Sequence, residues 1–219
     1  MPRYRCLVLD HDDTIVMSEQ SLNYPAFLLA LERFRPGETI SLEDFTRGCF
    51  HPGFLQLCIE KYKFTQEEID EEFLLWQDFI KDKIPPLFPG VENIVRRQHE
   101  DGGLICVVSH SCIQNITRDY ETHFGILPDD IYGWDLPEEK RKPSTWPIQQ
   151  IRAKYGFALE QMLVVDDMKP AWEMAGKVGA PIAFAGWGRK DYPEITEEMT
   201  RLCDFSFSST KDLEQFLFD

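Results

Sequence analysis

The chain has 219 residues, a length that suits one large domain or a core domain with a smaller insertion. Its formal net charge is −15 at pH 7, so its average surface repels nucleic-acid phosphates and anionic lipid. We therefore expect neither a nucleic-acid nor a membrane partner. An anionic substrate would need a local positive group, such as a lysine or a bound cation, to overcome this charge.

The six cysteines include no CxxC pair and no spacing suited to zinc, so we interpret them as reduced packing residues. The chain reaches Asp10 before any long apolar run, and it shows no signal-peptide core before that residue. No segment approaches the ~18 consecutive apolar residues of a transmembrane helix. These features predict a cytoplasmic protein.

The first predicted element is a buried strand at residues 6 to 10, the short apolar run CLVLD. Residues 17 to 86 then show helical patterns, such as PAFLLALERF, but no convincing strand. A pair of prolines followed by LFPGV breaks helix at the end of this interval. The sequence therefore predicts a helical cap domain over 17–86, inserted into an α/β core formed by 1–16 and 87–219.

The rest of the chain alternates short apolar runs with amphipathic stretches. In chain order these predict a strand at 104–109, helices at 112–124 and 144–156, a strand at 162–167, a helix at 170–178 and a strand at 181–186. This alternation predicts an α/β fold with a doubly wound, parallel, Rossmann-like sheet. Ligands bind such sheets at the carboxyl ends of the strands, where Asp10, Ser109 and the pair Asp166 and Asp167 are expected.

Three carboxylates crowd into four positions directly after the first strand, at Asp10, Asp12 and Asp13. Like charges this close destabilise one another unless a cation joins them or one of them is protonated. Mg²⁺ is the natural partner, because it prefers oxygen ligands and leaves positions open for water and phosphate. The alternative is an acidic turn that caps the next helix.

A second acidic pair, Asp166 and Asp167, follows the strand at 162–167 and precedes Pro170, which suits the start of a helix. This pair can complete a metal site with the first cluster, or it can simply cap the helix. Lys140, Arg141 and Lys142 are candidates for the positive charge that an anionic substrate needs, and Ser109 offers a hydroxyl to a phosphate oxygen. A solvated lysine and a serine that closes a strand are the ordinary alternatives.

Four motifs in this order resemble those of the haloacid dehalogenase-like hydrolase superfamily, and the resemblance covers nearly the whole chain. They are LVLDHDDT with Asp10 and Asp12, VVS with Ser109, KP with Lys142, and LVVDD with Asp166 and Asp167. The helical insertion is similar to the small cap of phosphoglycolate phosphatase-like and β-phosphoglucomutase-like members. The motifs are highly specific when they occur together.

The resemblance implies Mg²⁺ as the cofactor, held by Asp10, the backbone carbonyl of Asp12, and Asp167. Asp166 is then a second-sphere or water-mediated ligand. The resemblance also implies that Asp10 attacks phosphorus and forms an aspartyl-phosphate. Asp12 would protonate the leaving alcohol and then activate the water that hydrolyses this intermediate.

The same resemblance implies that Ser109, His110 and Lys142 bind the phosphate. Several positions depart from the family pattern: Asp13 stands at a usual glycine, His11 at an apolar position, His110 where asparagine is frequent, and Ala171 where many members have aspartate. These departures concern substrate preference rather than chemistry. His11 and His110 can face the pocket or be hydrogen-bonded structural groups.

The segment RGCFHPGF at 47 to 54 resembles the cap loop that meets substrate in this family, which makes Arg47 and His51 candidates for substrate selection. His51 lies about where related mutases use an arginine for a second phosphate. This difference favours a hydrolase over a mutase.

The sequence therefore predicts a Mg²⁺-dependent phosphatase that hydrolyses a small phosphorylated metabolite through Asp10. A sugar phosphomutase would use the same site, because cap closure decides whether water or a hydroxyl receives the phosphoryl group. A non-catalytic phosphate-binding protein or a phosphoacceptor module ranks lower, since no catalytic group is lost and since phosphoacceptor modules need no cap. The particular substrate and the oligomeric state are not predicted.

Overall fold

The computed structural model describes residues 2–219, which form two compact units. The first, the α/β unit, combines the residues up to Met17 with Pro86–Asp219. The second, the helical unit, is Ser18–Pro85. No helix within 2–219 is long and apolar enough to span a bilayer.

Six strands of the α/β unit form one parallel sheet in the order β3-β2-β1-β4-β5-β6. They are β1 (Cys6–Leu9), β2 (Leu104–Val108), β3 (Asp130–Tyr132), β4 (Met162–Asp166), β5 (Ile182–Ala185) and β6 (Phe205–Phe207). The chain moves from β1 outward to β3 and then returns to place β4 on the other side of β1. The β1–β4 boundary is therefore the topological switch point, where a crevice opens at the carboxyl ends of the strands.

Helices occupy both units. They are α1 (Tyr24–Phe34), α2 (Leu42–Gly48), α3 (Phe54–Gln56) and α4 (Gln66–Ile80) in the helical unit, and α5 (Val91–Glu100), α6 (Ile113–Phe124), α7 (Trp146–Tyr155), α8 (Lys169–Val178), α9 (Pro193–Leu202) and α10 (Thr210–Phe218) in the α/β unit. Short π-helical turns flank α1 and α3 in the helical unit.

The sheet buries both of its faces, as the central strand β1 shows. Leu7 and Leu9 point into a core that α5, α6 and α10 complete, whereas Cys6 and Val8 point into a second core with α7 and α8. Successive side chains of a strand point to opposite faces, so an apolar run without alternation requires cover on both sides. The predicted doubly wound parallel α/β fold is confirmed.

The helical unit has its own core, built around Phe27 of α1 and Phe45 of α2, whose ring centroids lie 5.2 Å apart. The helix α4 begins with a capping box, in which Thr65 accepts from the amide of Glu68 and the Glu68 carboxylate accepts from the amide of Thr65. Within the described part of 18–85, every regular element is helical.

Candidate active site

Two acidic segments meet at the carboxyl ends of β1 and β4, which are neighbours in the sheet. The amide of Asp10 donates to the carbonyl of Val165 over 2.9 Å, so Asp10 extends the pairing of the two strands by one residue. Carboxylate oxygens of Asp10, Asp166 and Asp167 lie within 4.8 Å of one another, and all three residues are buried. Negative charges this close and this deep require positive charge or protons beside them.

Lys142 supplies one positive charge. Its Nζ donates to Asp10 Oδ1 over 2.8 Å and to Asp166 Oδ2 over 2.7 Å, and only 4% of its side chain is exposed. The residue lies in the loop before α7. That helix begins at Trp146, two residues later than the sequence predicted.

The two aspartates that contact Lys142 have pKa shifts in opposite directions. Burial alone would raise the pKa of Asp10, but the charge and hydrogen bond of Lys142 outweigh it, and the pKa lies below its ordinary value. Burial and the neighbouring charges of Asp10 and Asp167 raise the pKa of Asp166 well above its ordinary value. Burial opposes the charged form of Lys142, yet the two carboxylates raise its pKa.

Asp167 has different partners from Asp166. Its Oδ1 accepts from the hydroxyl of Thr14 over 3.3 Å, and its Oδ2 lies 2.5 Å from the guanidinium of Arg189. Asp166 instead accepts the amide of Met168 at Oδ1, over 2.8 Å, just before α8 begins. The two adjacent aspartates are thus held by separate sets of donors.

The turn after Asp10 carries the other two acidic residues. Asp12 is half-buried, and its backbone forms an isolated β-bridge with that of Val16. Asp13 has a φ of 54°, the left-handed conformation that glycine favours and that aspartate tolerates better than most residues. This backbone conformation suits the glycine that the resemblance leads us to expect here, and the buried Asp13 carboxylate lies 3.8 Å from the guanidinium of Arg189.

Ser109 and His110 follow β2 and border the same cluster. Ser109 helps to keep the pKa of Asp10 low, and its hydroxyl accepts from the amide of Ser111 over 3.2 Å. His110 Nε2 donates to the carbonyl of Lys142 over 3.0 Å. The residue keeps an exposed surface, but surrounding protein displaces water from the imidazole and Lys142 repels its charged form, which lowers the pKa to about 4. His110 is therefore neutral at pH 7.

His11 turns away from the carboxylates. Its Nε2 lies 3.1 Å from Asp119 Oδ2 of α6, and its side chain is 1% exposed. Arg118 donates to the other oxygen of Asp119 over 2.8 Å. His11 therefore ties the turn after β1 to α6, which corresponds to the structural alternative for this histidine.

The two candidates in the helical unit lie in and after α2. Arg47 forms an ion pair with Glu43 over 2.5 Å on the same helix. His51 is exposed, and its backbone (φ −152°, ψ 123°) interrupts the helical path before Pro52. Their roles in substrate selection stay predictions.

Arg189 is the site residue that the sequence analysis missed. It follows the turn after β5 and contacts both Asp13 and Asp167. No motif points to it, because a single arginine in GWGRK gains meaning only when the sheet order places the loop after β5 beside the loops after β4 and β1.

The donor set of the cluster fits a hard divalent cation. Buried carboxylate oxygens converge from Asp10, Asp166 and Asp167, and oxygen is the donor that Mg²⁺ prefers. The arrangement also places an ionised carboxylate 2.8 Å from a buried ammonium, which can offset the charge of an anionic group that approaches Asp10. Such a site is suited to nucleophilic attack on a centre that carries negative oxygens.

The fold and the cluster define a Rossmann-like α/β protein with an acidic site at its switch point. The model of the haloacid dehalogenase-like hydrolases matches residues 7–185, and the chain belongs to this family. The expectation of a haloacid dehalogenase-like phosphohydrolase is confirmed at the level of the family. No curated protein sequence matches the chain significantly.

Solved structures share the fold at low sequence identity. CbbY from Rhodobacter sphaeroides in complex with phosphate is similar with a TM-score of 0.72 at 14% identity, over 96% of each chain. A variant of CbbY in complex with xylulose-(1,5)-bisphosphate gives 0.73 at 14% identity, also over 96% of each chain. A predicted phosphoglycolate phosphatase from Haemophilus somnus gives 0.71 at 18% identity, over 99% of each chain. At these identities the likeness concerns the fold alone.

Proposed function

We propose that the chain is a magnesium-dependent phosphatase that hydrolyses a small phosphate monoester through an aspartyl-phosphate on Asp10. The observation that carries this proposal is the 2.8 Å contact between the buried carboxylate of Asp10 and the ammonium of Lys142, beside Asp166 and Asp167. Because this contact lowers the pKa of Asp10, its carboxylate is ionised at neutral pH and is available as a nucleophile.

The carboxylates of Asp10 and Asp167 and the backbone carbonyl of Asp12 would hold Mg²⁺, with Asp166 as the adjacent, outer ligand. Bound Mg²⁺ supplies positive charge that offsets the charge of a phosphate and of the carboxylates around it. Membership of the family and the all-oxygen donor set support this metal.

The reaction follows from the residues themselves. Lys142 and Ser109 bind the non-bridging phosphate oxygens, and the neutral His110 adds a hydrogen-bonding group next to Ser109. Asp10 attacks phosphorus in line while Asp12 protonates the leaving alcohol. Asp12 then removes a proton from the water that attacks the aspartyl-phosphate, which releases inorganic phosphate and restores Asp10.

We propose a small phosphorylated metabolite as the substrate. The complexes of CbbY with phosphate and with xylulose-(1,5)-bisphosphate support this class, since that protein shares the fold. The helical unit, including Arg47 and His51, would contribute to substrate selection. A sugar phosphomutase would use the same catalytic residues. The cytoplasm is the proposed location, supported by six free cysteine thiols, which are typical of a reducing compartment.

The test is phosphate release from p-nitrophenyl phosphate by the wild-type chain, with Mg²⁺ and with a chelator. We expect turnover that needs the metal and that falls by at least about 10³-fold in Asp10→Asn and by about 10²-fold or more in Asp12→Asn. Asp101→Asn is the matched control, because Asp101 is exposed and precedes β2, at the amino end of the sheet.

Turnover that survives the Asp10→Asn substitution would contradict the proposed nucleophile. Absence of turnover with p-nitrophenyl phosphate and with a panel of phosphate esters would contradict the phosphatase. In that case, transfer of phosphate between two hydroxyls of a sugar, measured with a labelled sugar bisphosphate, separates a mutase from a binding protein.

A further inference from the structure

The loop after β5 reaches the acidic cluster by an unusually close backbone approach. Gly186–Gly188 forms a tight turn, and a Cβ on Gly188 would lie 2.0 Å from the carbonyl oxygen of Asp13. Only glycine fits there, because the turn packs directly against the backbone of Asp13. The next residue is Arg189, whose side chain is only 4% exposed.

Arg189 places a second buried positive charge at the site. Its Nη2 lies 2.5 Å from Asp167 Oδ2 and 3.8 Å from Asp13 Oδ2. Lys142, the first buried cation, contacts the other two buried carboxylates of the site. Each of the two cations thus contacts two of the four carboxylates.

This contact has a consequence for metal binding. Asp167 is a proposed metal ligand, and the guanidinium on its Oδ2 withdraws negative charge from that carboxylate. A fixed cation that forms an ion pair with a metal ligand also repels the metal, and burial limits how far solvent screens the repulsion. Removing the charge of Arg189 should therefore strengthen the binding of a divalent cation.

We propose that Arg189 is a positioning residue that acts through Asp167: it is a built-in counter-ion that keeps the metal-free cluster folded and lowers its affinity for Mg²⁺. This inference rests on the proposed function, which assigns Asp167 as a metal ligand. A buried carboxylate without a counter-charge is costly, so the same contact should stabilise the protein when no metal is bound.

The first measurement is the dissociation constant for Mg²⁺, determined by calorimetric titration of the metal-free protein. We expect Arg189→Gln to bind Mg²⁺ about tenfold or more tightly than the wild type, because one nearby positive charge is gone. Arg189→Lys keeps the charge, so its dissociation constant should stay within about threefold of the wild-type value.

The second measurement is the melting temperature of each variant with and without saturating Mg²⁺. Metal-free Arg189→Gln should melt below the wild type, and Mg²⁺ should raise its melting temperature by more than it raises that of the wild type. Arg35→Gln is the control, because Arg35 binds Glu68 in the helical unit and has no carboxylate of the cluster as a partner. Its loss of stability should be the same with and without metal.

A role that is only structural would lower the melting temperature of Arg189→Gln equally in both conditions and leave the Mg²⁺ affinity unchanged or weaker. That result, with normal Mg²⁺ binding by the wild type, overturns this inference and leaves the phosphatase proposal standing. A tenfold change in Arg189→Lys overturns it too, even if Arg189→Gln does not fold. If the wild type binds no Mg²⁺, the metal site of the proposed function fails, and this inference fails with it.

Discussion

Lys142 is a buried positive charge next to the proposed nucleophile Asp10. Two carboxylates accept its hydrogen bonds, and its charge is the main reason that the pKa of Asp10 stays low in spite of burial. A buried ammonium that is already aimed at the nucleophile also lies where the oxygens of a bound phosphate would need a positive partner. We therefore propose that the residue both keeps Asp10 ionised and binds the phosphate of the substrate.

We predict that Lys142→Met lowers kcat/KM for p-nitrophenyl phosphate by about 10²-fold or more. Without the lysine the pKa of Asp10 rises, so the acidic limb of the pH–rate profile should move to higher pH. Lys140→Met is the matched control, because it makes the same substitution at a nearby lysine. The Nζ of Lys140 lies 5.0 Å from the ring centroid of Trp146. An unshifted acidic limb in Lys142→Met would show that another group controls the ionisation of Asp10.

At this scale the sequence predicted the residues that have a motif and missed the one that has none. Asp10, Asp166 and Asp167 were expected together because carboxyl ends of parallel strands share one edge of the sheet. Their assigned roles remain proposals. Arg189 was missed because its contacts depend on the strand order, which a single sequence does not contain. Asp13 was recognised as unusual, but its left-handed φ and its contact with Arg189 needed the structure.

Among the elements, the buried strands were predicted almost to the residue and the edge strands were not. β1 and β4 are apolar over nearly their whole length because helices cover both faces. β3 and β6 have three residues each, lie at the two edges of the sheet and are only partly buried, so they leave no periodic pattern. Pattern recognition requires a run longer than this.

The turn after β5 gives a prediction at this scale. Gly188→Ala should destabilise the protein by about 1–3 kcal/mol and reduce turnover, because the added methyl must displace the backbone carbonyl of Asp13. Gly176→Ala in α8 is the control: nothing lies within 4 Å of its Cβ position, and alanine should stabilise that helix by up to about 1 kcal/mol. Chemical denaturation of both variants measures the difference. Equal stability of the two variants would contradict the close contact.

The helix α4 contains a buried acid that should make stability depend on pH. Glu72 is 6% exposed, and burial raises its pKa from 4.5 to about 7. Between pH 4.5 and about 7, the folded state holds a proton on Glu72 that the unfolded state has released. Glu72 therefore makes stability fall as pH rises through that window, and the loss of stability is constant above it.

We predict that Glu72→Gln, which cannot ionise, is more stable than the wild type at pH 8 by up to about 3 kcal/mol and gains little at pH 4. Urea denaturation at the two pH values measures this. Glu71→Gln is the control, since 40% of the Glu71 side chain is exposed and it pairs with Arg33. A gain for Glu72→Gln that does not depend on pH would contradict burial of an ionisable carboxyl at this position.

For the whole molecule, the excess of acidic residues has two distinct parts. Most of the net charge of −15 belongs to the surface, where it argues against nucleic-acid and membrane partners. A small part is buried at the switch point, where two cations and a proposed metal ion would offset it. The sequence indicated the need for local positive charge and offered Lys142 as a source, whereas the contribution of Arg189 is visible only in the folded chain.

We propose that Asp10 carries the phosphoryl group during turnover. The most direct test is to quench the wild-type protein and Asp12→Asn during reaction with p-nitrophenyl phosphate and Mg²⁺, reduce any acyl phosphate with borohydride, and map the product by peptide mass spectrometry. We predict that residue 10 is converted to homoserine, and that Asp10→Asn gives no such product. Homoserine at another position, or turnover with no acyl phosphate at residue 10, would contradict it.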